Sequence, residues 1–363
     1  MGGKRKTRTE RKSVVGAALR AAGFTLAAAF TLGALAPAAH ALSCTTQSGL
    51  KPEDRRAILE AGNALAADIA AQKLDALQAA LLPAVVGDWE GIESVAKSAK
   101  PLVDGGTIEW GDAYLLDATE LKGPTDSQFF CTNADSQVTI TINLRSLPPG
   151  KFALLLGDAA GAPLAGQLAF ILGQPASEQT APGQNTSGQP ASSQTGQWKL
   201  GGIFAREGAL EGHDGVWYWS QARKYASSKQ DLSAWLTYDM ARWLLLPVDF
   251  LSSPHLDKLN REQENGVNPA KSMPLTVAGE SGKSWKINNL RIDTTLHHAD
   301  LALTYESSGA TDPAASRAEA VAVMGAFLKL HPALREHFHG LWAYAERDGR
   351  QNYAIELAMH DIP

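Results

Sequence analysis

One carboxylate of the sequence stands where acid–base chemistry is conceivable. Asp112 lies between Trp110 and Tyr114, in a segment whose apolar residues alternate with a period of two. If that strand is regular, the three side chains share a face, and burial there raises the pKa of the Asp112 carboxyl and suits it to proton transfer. The pair Gly111-Asp112 is also a bulge or turn signal, which would rotate Asp112 out to water. No histidine stands near it in the sequence to complete a dyad.

Histidines provide a second set of candidate groups, concentrated towards the C-terminus. They are His297, His298, His331, His337, His339 and His360. If they lay on a strand, His337 and His339 would share one side. Together with His297 or His298 they would then form a metal-binding set. No Asp or Glu is spaced to complete a recognisable motif, and histidines at helix ends and strand edges are usually solvated or hydrogen-bonded. We therefore predict no metal site.

Common enzyme signatures are missing from the sequence. It contains no G-x-S-x-G elbow, no P-loop, no G-x-G-x-x-G after a strand and no H-E-x-x-H. Their absence lowers the expectation of catalysis without abolishing it. We predict no cofactor.

The first 41 residues have the pattern of a secretory signal peptide. They combine a basic head, a sixteen-residue apolar run from Ala21 to Ala36 and the small-residue site Ala39-His40-Ala41, so we predict cleavage after Ala41. A retained anchor is the alternative, but a bilayer span needs about 20 residues. The expected product is exported, periplasmic or secreted, with no membrane span after cleavage.

Charge separates this head from the rest of the chain. The first 41 residues carry seven basic residues and one acid, a net +6, so the remainder of a chain of net −5 carries −11. An acidic body repels phosphate backbones, which argues against a nucleic-acid partner.

The two cysteines fit an exported protein. An even count in such a chain predicts one disulfide, between Cys44 and Cys131. Lipidation of Cys44 is the alternative, since Ala41-Leu42-Ser43 is a fair lipobox, but it leaves Cys131 unpaired. We favour the disulfide.

Periodicity divides the first domain, residues 42–208, into helices followed by strands. Lys51-Pro52-Glu53-Asp54 opens a helix, because Pro and acids favour a first turn. A short second helix follows around Trp89. Period-two patterns then predict strands, with Ile108, Trp110, Tyr114 and Leu116 on one face of the first. Residues 174–197 are polar and nearly uncharged, so we expect a disordered loop there.

This order of elements resembles an NTF2-like (cystatin-like cone) domain over residues 51–206, including the late strand from Trp198 to Ile203. The resemblance implies an α+β fold in which N-terminal helices pack on a curved antiparallel sheet. It also implies a cone whose mouth admits a small ligand, with Trp110, Tyr114 and Trp198 as candidate contacts. Enzymatic members place an Asp or His in the cone, and Asp112 is the candidate here.

Residues 215–248 resemble a single tetratricopeptide repeat, within a connector spanning 209–265. The positions of small and aromatic residues carry the resemblance: Tyr218, Ala222, Tyr225, Ala234, Tyr238 and Ala241. Small residues let two helices cross closely, with aromatic side chains wedged beside them. The sequence holds no second copy with this pattern, so we expect one packed hairpin rather than a peptide-binding array.

The last domain, residues 266–363, is a small α+β unit of no recognised family. We predict three or four strands with one helix across them, capped by Asp312 and opened by Pro313. The segment from Tyr353 to Met359 is predicted only to be amphipathic.

These features favour an exported, non-catalytic protein that binds a small apolar ligand or an envelope partner. Two alternatives stay open. One is a cone-fold isomerase or lyase that uses Asp112. The other is a scaffold protein that interacts through its helical hairpin.

Overall fold

The computed structural model describes residues 42–133, 137–162, 164–174, 197–279, 282–309 and 312–363. The predicted signal peptide lies outside the described residues, as does nearly all of the predicted loop 174–197. Among the described residues, no helix combines the length and the apolar character needed to cross a bilayer.

Four helices precede most of the strands. They are α1 (Pro52–Ala70), α2 (Leu74–Ala79), α3 (Trp89–Ser98) and α4 (Lys100–Val103). Pro52 occupies the first turn of α1 with two acidic residues, as the sequence predicts. The buried stripe of α1 includes Ile58, Leu65 and Ile69, and it faces a core shared with the first sheet.

The strands of the N-terminal half form two sheets. The first has the order β1-β2-β5-β6-β7 and is antiparallel throughout. Its strands are β1 (Ser43–Thr46), β2 (Thr107–Asp117), β5 (Lys151–Ala160), β6 (Gly166–Gln174) and β7 (Lys199–Glu207). The second sheet has the order β10-β4-β3, from β3 (Thr125–Thr132), β4 (Thr139–Leu147) and β10 (Leu251–Ser252). The α+β class is therefore confirmed, whereas a single sheet carrying all these strands is not what forms.

One hydrophobic core lies on each face of the first sheet. The four helices cover one face, and the second sheet packs near the other. The predicted disulfide is confirmed: Cys44 of β1 is bonded to Cys131 of β3, so it joins the two sheets. Because its sulfur is used in this bond, Cys44 is not free for the alternative of lipidation.

The helical hairpin forms where it is predicted. After the short strands β8 (Ala209–Leu210) and β9 (His213–Asp214) come α5 (Gly215–Ser227), α6 (Asp231–Leu245) and, beyond β10, α7 (Pro254–Glu264). The Asp214 carboxylate accepts a hydrogen bond from the Trp217 amide at 2.7 Å and caps α5. Tyr218, Ala222 and Ala241 are buried at the helix crossing.

The C-terminal sheet has five strands, one more than the largest number predicted. They are β11 (Leu275–Ala278), β12 (Ser284–Asp293), β13 (Asp300–Glu306), β14 (Gly340–Arg347) and β15 (Arg350–Ala358), in that spatial order. Among the described strands of this sheet, only β13 and β14 pair in parallel, and α8 (Pro313–Leu330) supplies the crossover. The hairpin and α8 share one core with this sheet. The amphipathic segment from Tyr353 is thus a strand.

Candidate functional site

A bulge at Gly111 decides where the predicted cone residues point. The pairing of β2 with β5 shifts register between Trp110 and Asp112. Trp110 therefore faces the helices, whereas Tyr114 and Leu116 belong to the core on the other side of the sheet. The expectation that Trp110, Tyr114 and Leu116 share one face is wrong, because the extra residue reverses the alternation.

Trp110 fills the space between α1 and β5. Its indole Nε1 donates a hydrogen bond to Asn63 Oδ1 at 2.8 Å, and its ring centroid lies 5.7 Å from that of Phe170. A Cβ on Gly157 would lie 2.5 Å from the ring, and one on Gly62 would lie 3.1 Å from it. The indole therefore contacts the backbone of both elements directly and packs as part of the core.

The three predicted ligand contacts are not brought together. Trp198 is buried in the helix-facing core with Trp110, while Tyr114 is buried in the other. Burial and the negative charge of Asp112 raise the pKa of the Tyr114 hydroxyl well above its usual range.

Asp112 lies on the bulge and is exposed, which is the alternative that the Gly-Asp pair predicts. Another carboxylate, Asp158, pairs in the ladder with Glu109. Its pKa is raised by its own burial, with smaller contributions from the charges of Glu109 and Asp112. This part of the sheet is consequently acidic. Asp112 does not provide a buried catalytic carboxyl there.

The two histidines His337 and His339 lie in different surroundings. His337 lies after a 3₁₀ helix, Pro332–Glu336, and its ring packs against Trp217 and Tyr225. Burial lowers its pKa. His339 lies apart from His337. Its Nδ1 is 3.2 Å from Asp300 Oδ1, and its ring stacks on that of His298. The expectation that His337 and His339 sit on one side of a strand is wrong, because neither lies in a strand.

An open groove of about 720 Å³ lies where the hairpin meets the C-terminal helix. Its walls come from residues 229–233, which form the α5–α6 turn and the first turn of α6, from the segment 267–275, and from residues 330–336 at and after the end of α8. The apolar side chains that line it are Leu232, Val267, Met273, Leu275 and Leu330. Val267 and Leu330 are 53% and 55% exposed, so apolar surface is left uncovered by the described residues.

One polar group of this groove stands out. His331 follows Leu330 at the end of α8, and its Nε2 is buried without a hydrogen-bond partner among the described residues. Burial also lowers the pKa of this imidazole, which keeps it neutral at pH 7.

Glu262 of α7 holds the hairpin that forms one wall. Its carboxylate accepts hydrogen bonds from Trp219 Nε1 at 2.7 Å and from Arg223 at 2.7 and 2.9 Å. The guanidinium also lies over the Trp219 ring, 4.4 Å from its centroid. The groove residues come from three separate stretches of the chain, so no local spacing in the sequence predicts that they meet. The exposure of Leu330 beside His331 becomes informative only once the fold is known.

Comparison of the chain with models of protein families, with curated proteins and with solved structures finds no match.

Proposed function

We propose that this protein is an exported, non-catalytic binding protein that holds a small apolar ligand in the groove between the hairpin and α8. The observation that carries the proposal is the uncovered apolar lining, above all Val267 and Leu330. Small-molecule sites usually measure about 300–1,000 Å³ and combine apolar walls with a few polar groups. A groove of about 720 Å³ whose lining also includes the polar residues Ser233 and His331 fits that description.

Export rests on the signal-peptide pattern and is supported by the disulfide, since such bonds persist in oxidising compartments. The NTF2-like arrangement of residues 51–206 belongs to the same proposal. Its support is the order of elements, with helices ahead of an antiparallel sheet. In this proposal the N-terminal half is a packed support, because Trp198 is buried and Trp110 is partly buried among its own side chains.

Fluorescence titration with the probe 1-anilinonaphthalene-8-sulfonate tests the groove. We expect Leu330→Glu to weaken probe binding about ten-fold or more, because a carboxylate replaces an apolar wall. Leu296→Glu is the matched control: Leu296 is 53% exposed but lies outside the groove. Equal binding by Leu330→Glu and the unaltered protein, or an equal loss in both variants, would refute the assignment.

A further inference from the structure

Three side chains from neighbouring strands converge at one end of the C-terminal sheet. Asp300 opens β13, His339 immediately precedes β14, and Glu356 lies in β15. One potential ligand atom from each lies within 4.8 Å of the others. The Asp300 side chain is only 3% exposed, whereas that of His339 is 38% exposed. The cluster therefore combines a buried carboxylate with an imidazole that solvent can reach.

Strand register explains why they meet. The parallel ladder pairs Asp300 with Gly340, and the antiparallel ladder pairs Trp342 with Glu356. Alternation then places Asp300, Gly340 and Glu356 on the same face, opposite the face that packs against α8. Asp300 and Glu356 are far apart in sequence. Residue spacing alone therefore does not identify them as partners for His339.

Gly340 makes room for the two carboxylates. A Cβ at this position would lie 2.5 Å from Glu356 Oε1 and 2.9 Å from Asp300 Oδ1. Two acidic oxygens thus occupy the space above the β14 backbone that a side chain would otherwise fill. Glycine is needed here because the carboxylates approach so closely, and not because of its backbone conformation. Gly340 is not among the residues with positive φ.

Within the described part of the chain, the carboxylates of this cluster have no direct salt bridge to a lysine or arginine. No Lys or Arg of the described ranges pairs with Asp300 or Glu356; the partners of Asp300 are His339 Nδ1 at 3.2 Å and Trp342 Nε1 at 3.4 Å. Burying a carboxylate beside a second one is costly unless a positive charge is supplied. A divalent cation cancels both carboxylate charges at once.

We propose that Asp300, His339 and Glu356 bind a divalent transition-metal ion, with Zn²⁺ the best fit. Zn²⁺ accepts both imidazole nitrogen and carboxylate oxygen as ligands, with bonds of about 2.0–2.2 Å. Tetrahedral bonds of that length separate the ligand atoms by roughly 3.3–3.6 Å, close to the 3.2 Å between Asp300 Oδ1 and His339 Nδ1. Ca²⁺ fits less well, because it takes six to eight oxygen ligands.

Neighbouring groups hold these ligands in place. The Trp342 indole N–H donates to Asp300 Oδ2, and the His298 ring stacks on His339 with centroids 4.0 Å apart. Such contacts orient metal ligands and sharpen affinity. Three protein ligands leave a fourth zinc position open on the exposed side, where an anionic or water ligand completes the tetrahedron. This site shares no residue with the groove and does not depend on the proposed function.

Isothermal titration of the metal-free, full-length protein with ZnCl₂ tests the assignment. We expect one equivalent to bind, and Glu356→Gln and His339→Gln each to lose at least ten-fold in affinity. The matched controls His360→Gln and Glu306→Gln replace exposed residues outside the cluster and should bind as the unaltered protein does. Absence of zinc binding, or binding that Glu356→Gln and His339→Gln leave unchanged, would overturn the site.

Thermal unfolding supplies a readout that needs no variant. Zinc that binds the folded state raises the unfolding temperature in proportion to the logarithm of its concentration above the dissociation constant. We expect this rise for the unaltered protein and its reversal by EDTA. Circular dichroism verifies that each variant is folded before its affinity is compared, and an unchanged unfolding temperature at saturating zinc would contradict the proposal.

Discussion

Single glycines determine how closely the elements of this protein approach each other. Gly62 brings α1 against the first sheet, where a Cβ would lie 2.4 Å from Leu155 Cδ2 and 3.1 Å from the Trp110 ring. Gly91, in the first turn of α3, is exposed. A Cβ at Gly91 would have no neighbouring atom within 4 Å. The two residues therefore separate the effect of helix propensity from that of packing.

We predict opposite effects for alanine at these positions. Gly91→Ala should stabilise the fold by a few tenths to about 1 kcal/mol, because alanine loses less backbone entropy in a helix. Gly62→Ala should destabilise it by about 1–3 kcal/mol, because the methyl group overpacks the core around Trp110. Urea unfolding measures both; stabilisation by Gly62→Ala would show that α1 can shift away from the sheet at little cost.

Most of the element pattern was predictable, and the errors have identifiable causes. Pro52, Asp214 and Asp312 mark helix starts because their roles are local. The sequence predicts the bulge at Gly111 only as an alternative to a regular strand. A period-two pattern does not show where an extra residue is inserted. Asp348-Gly349, with φ of 52° and 71°, is a hairpin turn signal that identifies β15 as a strand.

The candidate sites were not predictable to the same degree. Each depends on contacts between residues far apart in sequence, such as Asp300 with His339 and Glu356. Whether strands pair in parallel decides which side chains become neighbours, and that choice is made by the crossover helix rather than by local pattern.

At the level of elements, Glu262 joins α7 to the hairpin, and its contribution should depend on pH. The hydrogen bonds from Arg223, followed by that from Trp219, lower the pKa of this carboxyl below its usual range, although burial opposes them. A carboxyl with a lowered folded-state pKa stabilises the fold above its unfolded pKa of about 4.3, and this contribution disappears as the pH falls towards the folded value.

Glu262→Gln should therefore cost about 1–2 kcal/mol at pH 7, a figure kept low because Arg223 is nearly half exposed. The difference between variant and unaltered protein should shrink as the pH falls below about 4.3. Thermal or urea unfolding between pH 7 and pH 3 measures this. Exposed Glu264 is the matched control, and a Glu262→Gln deficit that stays constant across the range would exclude the ionised carboxylate as the cause.

For the whole molecule, the disulfide is the strongest single constraint between the two N-terminal sheets. It closes a loop with a sequence separation of 87 residues. In the chain-entropy model a loop of that length stabilises the folded state by about 4–5 kcal/mol. Cys131 is fully buried and Cys44 lies on the edge strand.

We predict that the double variant Cys44→Ala/Cys131→Ala loses about 2–5 kcal/mol of unfolding free energy. The matched comparison is the unaltered protein unfolded with and without a reducing agent, which should reproduce the loss without changing the core side chains. If the reduced protein keeps its full stability in urea unfolding, the bond does not constrain the unfolded chain as the model assumes.

The parallel pairing of β13 with β14 joins two strands that are far apart in sequence. The hairpin of β14 and β15 closes across the two-residue turn Asp348-Gly349, so it can form early from local contacts. Asp300 can join it only after α8 has brought β13 alongside, which closes a loop through the whole crossover. The two carboxylates of Asp300 and Glu356 therefore meet only when β13 has docked on β14, because β14 separates their strands.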